Sequence, residues 1–338
     1  MNQIKQFQSL LLNWYDEYGR KDLPWQVEDS YLVWISEIML QQTQVSKVID
    51  YFNAFIAKFP SMKALAQAEV HDVLSLWSGL GYYNRARNIH KTAQICTQKY
   101  KAQLPVDLKQ LMALPGIGKT TAGAILSLSS NLPFAILDGN VKRVMSRVYK
   151  VGDAQLSQYT KRLWLLAEQN MSQQRPKNYN QGLMDLGSLV CVRSNPHCCQ
   201  CPLTVLCQAY QTNETELYPP KQTKTKQIAV TLNTLLSVQD NKILLRQRKS
   251  TGIWAGLWFL PELNKNNELI KAKKQHGDEL FSLRHVLSHR ILTINVIKPV
   301  GKIALSDADK WVAIKQLSKY AHPSALVKIL DAYQKGLI

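Results

Sequence analysis

Five of the chain's six cysteines, Cys191, Cys198, Cys199, Cys201 and Cys207, fall within seventeen residues, and only Cys96 lies elsewhere. Four of them fit C-x6-C-x2-C-x5-C: Cys191, Cys198, Cys201 and Cys207. One compact loop can then aim four thiolates at a common centre, so the cluster reads as a metal site, with clustered cysteines that bind nothing as the lesser alternative. Tetrahedral thiolate sets suit zinc or an iron–sulfur cluster, and spacing leaves both open. Cysteines spread along the chain, the mark of a disulfide scaffold, are not what is seen.

A chain of 338 residues is long enough for two or three domains, each with its own core. Apolar residues at 46% and charged residues at 20% exclude disordered, collagen-like and coiled-coil classes. The excess of 42 Lys and Arg over 24 Asp and Glu leaves a net charge of +18, which points to a polyanionic partner, nucleic acid or a membrane surface. A basic enzyme with no such partner is the plain alternative. Residues 1–50 carry 4 basic and 7 acidic groups, residues 51–200 carry 18 and 7, and residues 216–338 carry 20 and 9. Two basic blocks, rather than a tail, fit two folded domains facing one polyanion.

The longest uncharged stretch, Thr120 to Leu137, contains Ser127, Ser129, Ser130, Asn131 and Pro133, which suit a lipid-exposed helix poorly. No membrane span is expected. The start, Met1 to Phe7, lacks a basic region followed by an apolar one, so a cytosolic protein is expected.

Residues 1–210 read as one helical domain, with apolar residues at three and four spacings in Phe7, Leu10, Leu11, Trp14 and in Val70, Val73, Leu74, Trp77. Residues 211–227 hold two prolines and little that could be buried, the composition of a linker. In residues 228–338 the period changes to two, at Ile228, Val230, Leu232 and again at Leu292, Ile294, Val296, with a helical segment from Ala325 to Tyr333. An all-helical domain followed by a smaller α+β domain is expected.

Leu114-Pro115-Gly116-Ile117-Gly118-Lys119 lies between two apolar helical segments. Gly116 and Gly118 permit a tight turn whose N–H groups and helix N-terminus can hold a phosphate, with Lys119 beside them, as in a helix-hairpin-helix. Acid–base cleavage of a bond that leaves a cation behind needs one carboxyl to protonate the leaving group and one anion to face the developing positive charge. Glu37 lies in an apolar segment where burial would keep its proton near neutrality. Its alternative is the exposed stripe of that helix. Asp138 is the second carboxyl, and also reads as an ordinary helix N-cap. The two roles are compatible, because a cap held by N–H groups stays ionised.

The segments 34–44 (WISEIMLQQTQ), 79–88 (GLGYYNRARN), 114–123 (LPGIGKTTAG) and 136–143 (ILDGNVKR), with the cysteine loop, closely resemble MutY-type adenine DNA glycosylases of the endonuclease III, helix-hairpin-helix superfamily. The resemblance covers nearly the whole chain. It implies a multidomain fold: an all-α helix-hairpin-helix glycosylase domain with the hairpin near residues 106–126 and a [4Fe–4S] cluster loop at 191–207, then an α+β Nudix-like domain. It implies removal of adenine mispaired with 8-oxoguanine or guanine in duplex DNA, by a monomeric, bacterial, cytoplasmic and nucleoid-associated enzyme. Glu37 would be the general acid, Asp138 would stabilise the sugar cation or its adduct, and Asn140 would support that geometry. Thr120 stands where the family has Tyr or Ser. Arg20, Trp25 and Gln181 match the adenine pocket. Gln42, Thr43 and Tyr82 match residues that probe the helix during base flipping, and Lys142 is an amine able to trap abasic product.

Endonuclease III-like pyrimidine glycosylase/lyases, the alternative within the superfamily, carry a lysine nucleophile where Thr120 stands. Lys119, one position earlier, lies about 100° around a helix, so no strong lyase activity is expected. The segment 242–262 resembles a Nudix fold, but the following residues 263–268 lack the glutamate array that binds Mg²⁺, so this domain should bind rather than cut. Within Arg284-His285-Val286-Leu287-Ser288-His289, Ser288 and His289 match the family's loop that checks 8-oxoguanine, with Leu287 replacing Phe. A non-catalytic lesion-binding protein and a nucleotide-pool hydrolase are the rivals from other classes.

Overall fold

The computed structural model describes residues 3–152, 155–221, 227–263, 279–299 and 305–337. These form two compact units: residues 1–67 with 88–222, and residues 68–87 with 223–338.

The helices run α1 Gln3–Tyr18, α2 Ser30–Leu40, α3 Val45–Lys58, α4 Met62–Gln67, α5 Val70–Leu76, α6 Asn84–Lys99, α7 Leu108–Met112, α8 Lys119–Ser130, α9 Gly139–Val148, α10 Leu156–Gln169, α11 Pro176–Leu189, α12 Gln208–Gln211 and α13 Ser324–Gln334. The strands are β1 Ile228–Leu235, β2 Val238–Gln239, β3 Lys242–Gln247, β4 Trp258–Phe259, β5 Glu279–Val286, β6 Arg290–Ile297 and β7 Asp309–Ala313.

In the first unit α1 is amphipathic and buries Phe7, Leu11, Trp14 and Tyr15, one stripe of its surface. Helix α2 is apolar nearly all round and accordingly central: Tyr31, Val33, Trp34, Ile35, Ser36, Ile38 and Met39 are all buried. Asp29 starts it by accepting from the Tyr31 N–H at 2.8 Å. It packs on α8 and α3, while α11 packs on α1, α8 and α9. Gly187 lets α11 come this close to α9, since a Cβ there would stand 2.5 Å from the Asn140 Cβ and 3.0 Å from its Cα.

In the second unit β1 pairs parallel with β6, and β5 pairs antiparallel with β6. A second sheet has β3 between β2 and β4, with β7 also paired to β3. The period-two pattern holds in part: Leu232, Leu292, Ile294 and Val296 are buried in one core with Ile243, Phe259, Leu326 and Ile329, whereas Val230 is half-buried and Ile228, at the start of β1, is exposed. Residues 68–87 join this unit through polar contacts. The Ser78 hydroxyl and the Tyr83 hydroxyl donate to the His322 carbonyl at 3.0 and 2.6 Å, and Arg87 donates to the Ala255 carbonyl. Residues 264–268, on which the missing glutamate array was read, lie outside the described residues. Among the described residues no helix is long and apolar enough to cross a membrane.

Candidate active site

Glu37 projects from α2, half-buried. Burial, and secondarily the charge of Asp138, pushes its carboxyl up to about 8. Asp138 caps α9, accepting from the Val141 N–H at 2.8 Å and the Asn140 side-chain amide at 3.2 Å. Burial raises its pKa too, but those N–H groups and the Arg143 guanidinium oppose the rise. The two acids are thus distinguished: of the pair, Asp138 is the one whose anion is solvated by fixed donors.

Arg143 locks this arrangement. It donates to the Asn140 side-chain oxygen at 2.9 Å, the Gly187 carbonyl at 2.5 Å and, through Nε, the Cys191 carbonyl at 2.6 Å. Sequence reasoning missed this residue, although its place three positions after Asn140 was a readable helix-face signal. Thr120 lies half-buried in the first turn of α8. Lys119, its neighbour, pairs with Glu168 at 2.7 Å and sits 4.2 Å over the Trp164 ring, so its amine is engaged toward α10. Lys142 is half-buried in α9.

Arg20 and Gln181 are brought together by a residue not foreseen, the fully buried Asp185. It accepts from the Arg20 backbone N–H at 2.8 Å, from Arg20 Nε at 3.0 Å and from Gln181 Nε2 at 3.0 Å. Asp185 lies one helical turn after Gln181, the one hint the sequence held. Trp25 is buried, edge-on to Phe52 with ring centroids 5.3 Å apart.

In the hairpin, Gly116 has φ +78° and a Cβ there would meet the Asn88 side chain at 2.9 Å, so only glycine fits. Gly118 is the N-cap of α8. Gln42 is exposed with φ 58°, and Thr43 follows it half-buried, its hydroxyl 3.4 Å from the Gln41 carbonyl. Tyr82 is also exposed, with φ 51°. Left-handed backbone at a non-glycine residue is costly and tends to mark functional sites. Nothing local in the sequence announces it.

In the second unit Tyr82 and Ser288 meet, their hydroxyl oxygens 2.6 Å apart. Ser288 and His289 sit exposed at the turn between β5 and β6. Leu287 packs against the core, so an apolar anchor survives without the aromatic ring. His285 is half-buried, edge-on to Trp254 with centroids 5.6 Å apart.

Of the four spaced cysteines, Cys207 is buried and Cys191, Cys198 and Cys201 are half-buried, while Cys199 is exposed. Burial raises the thiols of Cys198, Cys201 and Cys207, and each also feels the others or Cys191. Among the described residues no three acidic, His or Cys groups are placed to hold a single metal ion. Buried Arg147 braces the loop, donating to Cys191 Sγ at 3.3 Å and to the carbonyls of Val192 and Arg193 at 2.7 and 2.9 Å.

Fold and site together define a helix-hairpin-helix DNA glycosylase: residues 35–169 match the family model of HhH-GPD superfamily base excision DNA repair proteins, and residues 233–332 match that of the NUDIX domain. An adenine DNA glycosylase of Buchnera aphidicola subsp. Acyrthosiphon pisum is 40% identical, covering 98% of both chains. The human adenine DNA glycosylase is 30% identical over 98% of this chain and 74% of its own. Among solved structures, a thermostable thymine-DNA glycosylase superposes with TM-score 0.56 at 27% identity, covering 62% of this chain and 97% of its own. An endonuclease III–DNA complex shares the fold at TM-score 0.52 and 20% identity, over 63% of this chain and 99% of its own. The chain belongs to the adenine DNA glycosylase family, enzymes that hydrolyse N-glycosyl bonds in base excision repair.

Proposed function

We propose that this enzyme excises adenine opposite 8-oxoguanine or guanine in duplex DNA, as a monofunctional glycosylase, in a bacterial cytoplasm and without need of a second copy. The observation that carries the reading is the pair of unlike carboxyls. Glu37, pushed up to about 8, keeps a proton at neutral pH and donates it to the departing adenine. Asp138, fixed by the Val141 N–H and the Asn140 amide, presents its anion to the cationic sugar. As the base leaves, Glu37 becomes the carboxylate that draws a proton from the attacking water. Thr120 contributes a hydroxyl and no amine, and Lys119 is paired with Glu168, which argues against a Schiff-base lyase.

Arg20 and Gln181, oriented by Asp185, would hold the flipped adenine, with Trp25 as an apolar wall. Gly116, Gly118 and Lys142 would face backbone phosphates, and Lys119 would exchange its exposed ion pair with Glu168 for one, in keeping with the net charge of +18. Gln42, Thr43 and Tyr82 would probe the stack, and Ser288 with His289 would read the oxidised base. Cys191, Cys198, Cys201 and Cys207 would hold a [4Fe–4S] cluster. When bound, that group supplies metal–thiolate bonds that close the loop.

The test is single-turnover cleavage of a labelled duplex with adenine opposite 8-oxoguanine, read with and without alkali, beside Glu37→Gln and a thymine glycol duplex. Base loss revealed only by alkali, and abolished in Glu37→Gln, is expected. Strand cleavage of thymine glycol DNA without alkali would instead establish an endonuclease III-like lyase. Tight binding with no release from either duplex would leave a lesion sensor.

A further inference from the structure

Tyr82 is an exposed aromatic ring on a backbone that ought to be unstable. Gly79, Gly81 and Tyr82 have φ of 93°, 78° and 51°, three left-handed residues within four positions. Glycines adopt this freely, but a tyrosine does so only where its surroundings hold it. What holds it lies directly behind it. Arg85, 9% exposed, places its guanidinium 5.5 Å from the Tyr82 ring and 5.4 Å from the ring of fully buried Trp77. The same side chain donates to the Gly81 carbonyl at 3.2 Å, and Trp77 Nε1 donates to that oxygen at 3.1 Å. The Arg85 N–H closes the turn on the Tyr82 carbonyl at 2.8 Å. The wedge, its turn and a buried tryptophan are thus tied together through one guanidinium.

We propose that Arg85 is a positioning residue that stacks behind Tyr82, keeps its hydroxyl on Ser288, and thereby sets how strongly the enzyme prefers 8-oxoguanine over guanine opposite adenine. This rests on the proposed reading of Tyr82 and Ser288 as lesion probes. The mechanism is conformational. The ring is needed in place only where the oxidised base is read, so the cost of ordering an unbraced ring falls on the 8-oxoguanine duplex and spares the guanine one. Lysine could not replace the function fully, because only a planar guanidinium stacks on two rings while its N–H groups reach a carbonyl.

The experiment measures affinity for duplexes holding adenine opposite 8-oxoguanine and opposite guanine, in the excision-inactive Glu37→Gln background. Variants are Arg85→Met, Arg85→Lys, Tyr82→Leu and the double variant Tyr82→Leu/Arg85→Met, with thermal unfolding as a control. Arg85→Met is expected to lower the affinity ratio about tenfold, between the scales of an exposed and a desolvated cation–π contact, and Arg85→Lys to lower it part of the way. In the Tyr82→Leu background, Arg85→Met should change the ratio by less than about twofold, because the two act through one ring.

An equal loss of affinity for both duplexes, or full additivity in the double variant, would show that Arg85 only supports the fold and would overturn the proposal. An unchanged ratio in Arg85→Met, while Tyr82→Leu lowers it, would overturn it as well. If Arg85→Met fails to fold, Arg85→Lys decides by the same ratio. If Tyr82→Leu itself leaves the ratio intact, the probe reading of Tyr82 has failed and this inference with it.

Discussion

Glu37 and Asp138 are both raised by burial, yet only Asp138 has a backbone N–H, a side-chain amide and a guanidinium compensating its charge. In the proposed roles, that asymmetry divides the chemistry between them and predicts a pH profile. The general acid must carry its proton, which it does below its folded pKa of about 8. The single-turnover excision rate should therefore hold through neutrality and fall above pH 8, by up to tenfold per unit. On the acid side it should fall where Asp138 gains a proton, a limb moved upward from the ordinary carboxylate range. A rate that stays flat or climbs between pH 8 and 9.5 would remove Glu37 as the acid. Because the two groups are coupled, the limbs belong to the pair. At this scale the sequence left a real ambiguity: the period of α2 did not decide between an exposed and a buried Glu37. Packing on α8 and α3 decided it.

Helices α9 and α11 meet at a point where the site has no slack. Gly187 faces Asn140, whose amide supports Asp138, and Arg143 donates both to Asn140 and to the Gly187 carbonyl. A methyl group at Gly187 would stand 2.5 Å from the Asn140 Cβ, against a neighbour that cannot swing away. Gly187→Ala should therefore destabilise the enzyme by about 2 kcal/mol, as overpacking does, and slow excision more than it weakens duplex binding. Calorimetry and single-turnover kinetics check the two halves, and a variant with wild-type rate and melting temperature would show that the contact can relax. The hairpin glycines were readable from the motif alone, because a tight turn is a local demand on the backbone. Gly187 was not readable, because its reason lies on another helix.

Across the whole molecule, the net charge of +18 makes duplex affinity a salt measurement. If about six phosphates are neutralised, raising salt from roughly 50 to 200 mM should weaken binding about a thousandfold, for matched and lesion duplexes alike. An affinity insensitive to salt would mean that the basic blocks do not face DNA.

The local and covalent features of this protein are legible along the chain: the spacing of four thiols, the glycine turn, the cap at Asp138, the change of period beyond the linker. These are properties of residues within a turn or two of one another. Which distant residues meet is set by the packing of the whole fold. Asp185 gathers Arg20 across 165 positions, Tyr82 finds Ser288 across 206, and residues 68–87 pack with the C-terminal unit. Such contacts arise when whole faces are buried together, and that choice is made by the summed packing of the chain, which no single segment encodes.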